Sequence, residues 1–114
     1  MPVSTTDAVP VPNAAQIAAW NGKQGRLWRE RQADLDANVQ PFGDAAIQLA
    51  RPMAGERVID VGCGCGTTTL EIARRIGPAG SVLGVDVSAP MLAAARDRVA
   101  TLADRAGLAP IDFL

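Results

Sequence analysis

The chain has 114 residues, of which 48% are hydrophobic and 20% are charged. This balance is that of a globular protein and excludes a disordered chain, and no apolar stretch approaches the length needed to cross a bilayer. Eleven basic and twelve acidic residues leave a formal net charge of -1, without a basic run that could follow a phosphate backbone. We therefore expect at most one domain, with neither a nucleic acid nor a membrane as its partner.

Histidine is absent from the chain. These residues therefore cannot supply an imidazole base, a histidine-dependent triad or a histidine metal ligand. The two cysteines, Cys63 and Cys65, could be metal ligands or nucleophiles, but zinc needs about four ligands and no second pair is present. Small side chains that fill a tight loop explain them better, so we expect no metal site. A lone Cys-x-Cys pair is too close in sequence to make a disulfide framework, so we expect a reducing, cytoplasmic compartment.

The chain before residue 53 contains two regions. Residues 1–12 are rich in Pro, Ser and Thr without periodicity, which predicts a flexible leader. This segment lacks the features of a signal peptide. Residues 13–52 have apolar residues at helical spacing, so we expect an N-terminal helical region.

Several residues are expected to divide that helical region. Asn13 offers an N-cap, and the Asn21-Gly22 step together with Gly25 favours two short helices over one long helix. Pro41 is expected to end this part, because proline lacks the amide that a helix interior needs. A further short helix over residues 42–50 then ends before Pro52.

Residues 53–114 alternate between strand and helix patterns, which predicts an α/β fold with a parallel sheet and crossover helices. A β-branched run over residues 57–61 reads as the first strand. Thr68 and Glu71 have the spacing of a capping box at the start of the first crossover helix, which Gly77-Pro78 ends.

The second half of this region repeats the alternation. Residues 81–87 form the second predicted strand, and residues 110–114 begin a third. Ser88 is expected to cap the helix between them, and Gly107 is expected to end it. The apolar stripe of that helix is Met91, Ala95, Val99, Leu102 and Ala106, whereas Arg96, Asp97 and Arg98 are expected to face solvent.

A glycine-rich turn stands between the first strand and its helix, with Gly62, Gly64 and Gly66 at alternate positions after Asp60. Glycines there allow positive φ angles and let a ligand lie on the main chain. Exposed amides and a helix N-terminus would favour an anionic group of that ligand. A turn of this composition also occurs for structural reasons alone.

Asp86 follows about twenty residues after the turn, where a carboxylate can accept hydrogen bonds from both hydroxyls of a ribose. A helix-entry cap is the structural alternative, but Ser88 already supplies one. A nicotinamide dinucleotide suits the turn poorly, because Thr67 stands where its fingerprint needs a third glycine and because Asp60 would repel a pyrophosphate. S-adenosylmethionine, a cation without phosphate, suits it better.

The segments VIDVGCGCGTTTLEIA and VLGVDVSAPML resemble the first two motifs of class I, Rossmann-like methyltransferases that use S-adenosylmethionine. The resemblance covers residues 57–114, about half of the chain. It implies a partial cofactor-binding domain over residues 53–114, truncated after about three strands. It also implies cofactor contacts from eight residues: Asp60 near the ammonium, Gly62, Cys63, Gly64 and Gly66 around the methionine end, Asp86 at the ribose, and Val87 and Met91 beside the adenine.

The segment WNGKQGRLW, within residues 13–42, is similar to the leading helices of small-molecule methyltransferases related to quinone-biosynthesis enzymes. The resemblance implies that these helices cover the cofactor, so that Trp20 and Trp28 form part of a lid. Simple packing of the two tryptophans is the alternative, as a core position is for Met91. The acceptor would be a small molecule, and the catalytic residues remain unknown because the resemblance implies that they follow later strands.

Two further functions compete with a methyltransferase. One is a non-catalytic cofactor-binding or interaction module, and the other is a nicotinamide-dependent oxidoreductase. The first strand would lack the neighbour that the resembling family places beside it, so we expect an apolar edge through which the chain could form a homo-oligomer.

Overall fold

The computed structural model describes residues 9–114. In this part of the chain it contains α1 (Ala14–Asn21), α2 (Lys23–Glu30), α3 (Gln32–Ala50), β1 (Arg57–Val61), α4 (Thr67–Ile76), β2 (Ser81–Val85), α5 (Ala89–Ala100) and β3 (Ile111–Phe113). Of the predicted leader, residues 1–8 lie outside the described residues, and residues 9–11 have no regular structure.

The three strands form one parallel sheet in the order β1-β2-β3. Asp60 of β1 is opposite Gly84 of β2, which is opposite Phe113 of β3. This arrangement confirms the predicted α/β fold with crossover helices. Within residues 9–114, β1 pairs only with β2 and so lies at an edge of the sheet, where Ile59 and Val61 are 64% and 81% exposed.

The main core lies between the sheet and helix α4. Helix α4 contributes three buried residues at helical spacing, and fully burying an isoleucine such as Ile72 or Ile76 stabilises the fold by about 1.5–3 kcal/mol. Helix α3 adds one residue and the segment before β3 adds another. The buried residues of this cluster are Ile47, Ile72, Ala73, Ile76, Val82 and Ala109.

The predicted break between two N-terminal helices is confirmed at Gly22, which separates α1 from α2. Asn13 stands at the N-cap position, although its side chain makes no capping hydrogen bond. The expectation that Gly25 also interrupts the helix is wrong. Gly25 is buried inside α2, where a Cβ would lie 2.6 Å from Oγ of Ser88, so the glycine serves a close approach and not a break.

The expectation that Pro41 ends a helix is also wrong, because α3 runs through it from Gln32 to Ala50. Proline removes one intrahelical hydrogen bond, but both flanking parts of the helix are held by tertiary contacts. Asp36 on one side accepts a hydrogen bond from Thr67, and Ile47 on the other is in the core. The helix ends before Pro52, as predicted.

The predicted capping box at the start of α4 does not form. Gly66 occupies the N-cap with φ +86°, and the helix begins at Thr67 with no side-chain cap. Thr68 is therefore the second residue of the helix and not its N-cap, so Glu71 lies beyond the reach of a capping box and forms ion pairs with Arg74 and Arg75, at 3.6 and 3.1 Å. The predicted end at Gly77 is confirmed.

Helix α5 begins as predicted, with Oγ of Ser88 accepting a hydrogen bond from the amide of Met91. It ends at Ala100 and not at Gly107, so Leu102 and Ala106 are outside the helix. The Thr101 hydroxyl supplies the reason, because it donates to backbone carbonyls in the last turn of the helix and competes with the amides that would continue it.

Candidate functional site

A cavity of about 610 Å³ opens at the carboxyl ends of β1 and β2. In parallel α/β sheets this edge is where ligands bind, and the volume is in the range of small-molecule sites. Its wall is mostly apolar and carries one carboxylate. The lining residues are Trp20, Trp28, Val61, Gly62, Gly64, Val85, Asp86, Val87, Met91 and Leu114.

The three glycines of the loop after β1 have different surroundings, although all have positive φ angles of 76°, 55° and 86°. A Cβ on Gly62 would meet nothing within 4 Å, so this residue faces open space at the cavity. A Cβ on Gly64 would lie 2.8 Å from Cε of Met91. Gly66 does not line the cavity, and its Cβ would lie 3.2 Å from both Ala95 and Phe113. Gly66 is therefore needed for packing.

The backbone amides of this loop are already used by the protein. Both Gly62 and Cys63 donate to the carbonyl of Val85, at 2.8 and 3.1 Å, and Gly64 donates to a carboxylate oxygen of Asp86. The expectation that exposed amides here await an anionic group is therefore wrong for these three residues. These three amides are therefore not free to bind a pyrophosphate.

Asp86 follows β2 directly and is half-buried. Its Oδ2 accepts from the amide of Gly64 at 2.8 Å, and its Oδ1 accepts from the amide of Ser88 at 2.8 Å. The bond from Ser88 is the local turn contact that a structural role for Asp86 at the helix entry would require, while Ser88 itself caps α5. Each carboxylate oxygen has a further lone pair, so the group at the cavity wall can still accept from ligand hydroxyls.

Asp60 points away from the cavity wall and toward α4. Its Oδ2 accepts a hydrogen bond of 2.7 Å from the hydroxyl of Thr69, a side chain with no exposed surface. Burial raises the pKa of Asp60 above 3.8, and the nearby charge of Asp86 adds to this effect, while the Thr69 hydrogen bond lowers the pKa. Thr69 was not singled out from the sequence.

Cys63 and Cys65 are buried free thiols that do not line the cavity. Desolvation, together with the charges of Asp60 and Asp86, raises the pKa of Cys63 to about 12. Desolvation also raises the pKa of Cys65. Protonated, buried thiols are poor nucleophiles, which supports the packing interpretation of both residues.

Val87 and Met91 both line the cavity. Val87 is exposed, whereas Met91 is buried and reaches the cavity from the core. Trp20 and Trp28 pack edge to face, with their ring centroids 6.1 Å apart, and the same two rings form a wall of the cavity. The two interpretations of the tryptophans, packing and cavity wall, are thus compatible.

A polar network beside the glycine loop was not predicted from the sequence. Arg98, which was expected to face solvent, donates to the carbonyl of Cys65 at 2.9 Å and to the hydroxyl of Thr67 at 2.8 Å. Thr67 donates in turn to Asp36 of α3. The network ties α3 and α5 to the loop, and no spacing in the sequence could indicate it because the partners are about thirty residues apart.

Residues 58–113 match the family model described as "Methyltransferase domain". Over these residues the chain belongs to the methyltransferase domain family. The predicted resemblance to Rossmann-like methyltransferases is thereby confirmed.

No helix among the described residues is both long and apolar enough to cross a membrane.

Curated relatives align with the same half of the chain. Aklanonic acid methyltransferase of Streptomyces sp. (strain C5) is 38% identical over 56 residues, which are 49% of this chain and 26% of the relative. Ubiquinone/menaquinone biosynthesis C-methyltransferase of Geobacter sulfurreducens is 46% identical over 55 residues, or 48% and 22%. The chain therefore matches about a quarter of the length of these relatives.

Solved structures share the fold. A SAM-dependent methyltransferase from Aquifex aeolicus superposes with a TM-score of 0.53 at 25% identity, over 63% of this chain and 36% of that one. Magnesium protoporphyrin IX methyltransferase from Synechocystis, solved with bound SAM, has a TM-score of 0.68 at 19% identity, over 94% and 56%. The second match extends the shared fold to the N-terminal helices.

Proposed function

We propose that this methyltransferase domain binds S-adenosylmethionine in the cavity at the carboxyl ends of β1 and β2, as part of an enzyme that methylates a small molecule. One observation carries the proposal: the open side of Gly62 and the carboxylate of Asp86 border the same cavity, joined by the hydrogen bond from Gly64. The family match and the S-adenosylmethionine-dependent structural neighbour support it.

The residues around the cavity fit this cofactor. Asp86 would accept from the ribose hydroxyls, and the apolar side chains of Val87 and Met91 would lie beside the adenine. Gly62 would let the methionine end lie against the loop. Because Gly62, Cys63 and Gly64 already use their amides internally, the loop suits a cation without phosphate better than a dinucleotide.

The remaining predicted contacts come from residues that do not line the cavity. Asp60 would attract the ammonium of the methionine end from behind the loop, held by Thr69. Cys63 and Gly66 would shape the loop from below, where their own contacts are with the core. The division into an N-terminal helical lid over residues 13–52 and a partial cofactor domain over residues 53–114 is likewise proposed, supported by the tryptophans on the cavity wall.

The bound cofactor supplies an activated methyl group on a sulfonium. The described residues bind and orient that group, and Trp20 and Trp28 exclude water from one side of the cavity. We assign a catalytic base to none of the described residues. The small-molecule acceptor is inferred from relatives such as the quinone C-methyltransferase.

Calorimetric titration with S-adenosylhomocysteine and, separately, with NAD tests the cofactor. We expect one site for S-adenosylhomocysteine and no measurable heat with NAD. Binding of NAD alone would contradict the proposal and would support the oxidoreductase alternative. Absence of binding by both ligands would also contradict the proposal.

A non-catalytic module that self-associates is the second candidate, favoured by the exposed apolar residues Ile59 and Val61 on the edge strand. Size-exclusion chromatography with mass measurement tests it, and a stable monomer of 11.8 kDa would contradict self-association. We also propose a cytoplasmic location, supported by the two free thiols, and no nucleic-acid partner, supported by the balanced charge.

A further inference from the structure

The segment WNGKQG, in which the proposed function explains only Trp20, lies against the loop that follows β2. The amide nitrogen of Asn21 donates to the carbonyl of Val87 at 2.7 Å, and its oxygen accepts from the amide of Ala89 at 2.9 Å. The same nitrogen donates to the carbonyl of Ile17 at 2.8 Å, within α1. One side chain thus joins the end of α1 to both sides of Ser88.

Two neighbouring contacts strengthen this junction. The hydroxyl of Ser88, which is fully buried, donates to the carbonyl of Trp20 at 2.6 Å. Helix α2 crosses close to the same atoms, so that a Cβ on Gly25 would lie 2.6 Å from Oγ of Ser88. Three positions of the segment therefore meet residues 87–89, although more than sixty residues separate them in the chain.

The loop held in this way carries groups of the proposed cofactor site. Asp86 precedes it and accepts from the amide of Ser88, while Val87 lines the cavity. Trp20, next to Asn21, also lines the cavity. Displacement of residues 87–89 would therefore move the carboxylate, the apolar neighbour and the tryptophan relative to one another.

We propose that Asn21 is a positioning residue that fixes residues 87–89, and thereby holds Asp86 and Val87 in place to bind the nucleoside end of the cofactor. The inference rests on the proposed function, since it concerns S-adenosylmethionine. A site held in its binding geometry before the ligand arrives loses less conformational freedom on binding, and so binds more tightly. The amide of asparagine suits the role because it donates and accepts at once.

Asn21→Ala tests the inference by titration with S-adenosylhomocysteine and with methylthioadenosine, which has the nucleoside but no amino-acid end. Two hydrogen bonds between the helices and the loop are lost, so both dissociation constants should rise by the same factor, about tenfold. Asn21→Asp keeps the acceptor for Ala89 but has no donor for Val87, and should weaken both ligands as well. Asn38→Ala, at an exposed position of α3, is the matched control and should change neither.

Hydrogen exchange of the Ala89 amide, measured without ligand, gives a second readout. It should become faster in Asn21→Ala and stay unchanged in Asn38→Ala. Unchanged exchange at Ala89 would overturn the inference, and so would lower thermal stability of Asn21→Ala with unaltered dissociation constants. Failure of the unsubstituted chain to bind S-adenosylhomocysteine would instead overturn the proposed function, and the exchange rate would still decide whether Asn21 fixes the loop.

Discussion

The backbone amide of Gly64 donates a hydrogen bond of 2.8 Å to Oδ2 of Asp86, which joins the glycine loop after β1 to the loop after β2. The other carboxylate oxygen accepts from Ser88, at the start of α5. Asp86 therefore organises the protein part of the cavity before it meets a ligand. Its role in the fold and its proposed role at the ribose depend on the same carboxylate.

Asp86→Asn should weaken binding of S-adenosylhomocysteine by about tenfold or more. An asparagine of the same size has one acceptor oxygen, so it must lose the bond to either Gly64 or Ser88, and it removes the charge that would face the ribose hydroxyls. Calorimetric titration measures the change. Asp97→Asn, on the exposed side of α5, is the control, and an affinity of Asp86→Asn equal to that of the control would contradict the assignment.

Gly62→Ala and Gly66→Ala should separate ligand contact from packing. At Gly62 the new methyl group meets no protein atom, so only the positive φ costs stability, about 1–2 kcal/mol, yet the methyl group enters the proposed methionine site. At Gly66 it also meets Ala95 and Phe113, so the loss should reach about 2–5 kcal/mol.

Urea denaturation measures the free energy of unfolding of both variants, and titration of the folded Gly62→Ala protein measures its affinity. We expect Gly62→Ala to be the more stable variant and to bind S-adenosylhomocysteine at least about tenfold more weakly than the unsubstituted chain. Unaltered affinity of Gly62→Ala would show that the ligand does not approach this glycine.

Local patterns were sufficient to predict most of the α/β region. The strand over Arg57–Val61 and the end of α4 at Gly77 agree with the structure because β-branched runs and a Gly-Pro step act locally. The same reasoning failed at Pro41, where tertiary contacts on both sides keep α3 continuous. It failed again at the end of α5, where the Thr101 hydroxyl outweighs the apolar stripe that continues beyond it.

The candidate site was predictable where its residues follow a strand directly, as Gly62 and Asp86 do. The contacts of Asn21 with Val87, and of Arg98 with Thr67, could not be predicted. They join side chains distant in the chain, and a single sequence contains no periodicity that relates them.

Thr69→Val should destabilise the protein by about 1–3 kcal/mol near neutral pH. The substitution keeps the shape of a fully buried side chain but removes the hydroxyl that donates to Asp60, which leaves a partly buried carboxylate without this partner. Because that hydrogen bond lowers the pKa of Asp60, its loss should raise the pKa further.

The pH dependence of this variant follows from the direction of the shift. The folded-state pKa of Asp60 lies above the ordinary 3.8. Between these two pKa values the folded chain keeps a proton on Asp60 that the unfolded chain has lost, so the free energy of unfolding falls as pH rises from the lower pKa to the higher one. The deficit of Thr69→Val should therefore be larger at pH 7 than near pH 4. Urea denaturation at both values measures it, and repeating the comparison in an Asp60→Asn background should abolish the difference. An equal deficit at both pH values in the presence of Asp60 would contradict the coupling.

Cys63 and Cys65 should resist alkylation in the folded protein. Cys63 is 8% exposed and Cys65 is 5% exposed. A pKa of about 12 keeps the thiol of Cys63 protonated at pH 8, where the ordinary value of 9.0 leaves some thiolate in the unfolded chain. Iodoacetamide followed by intact-mass measurement should label neither thiol in buffer and both in urea. Rapid labelling of Cys63 in the folded protein would mean that the loop opens, and would restore the reactive interpretation of this cysteine.

The raised pKa of Cys63 also predicts that the free energy of unfolding falls as pH rises between about 9 and 12, because the unfolded chain then loses a proton that the folded chain keeps.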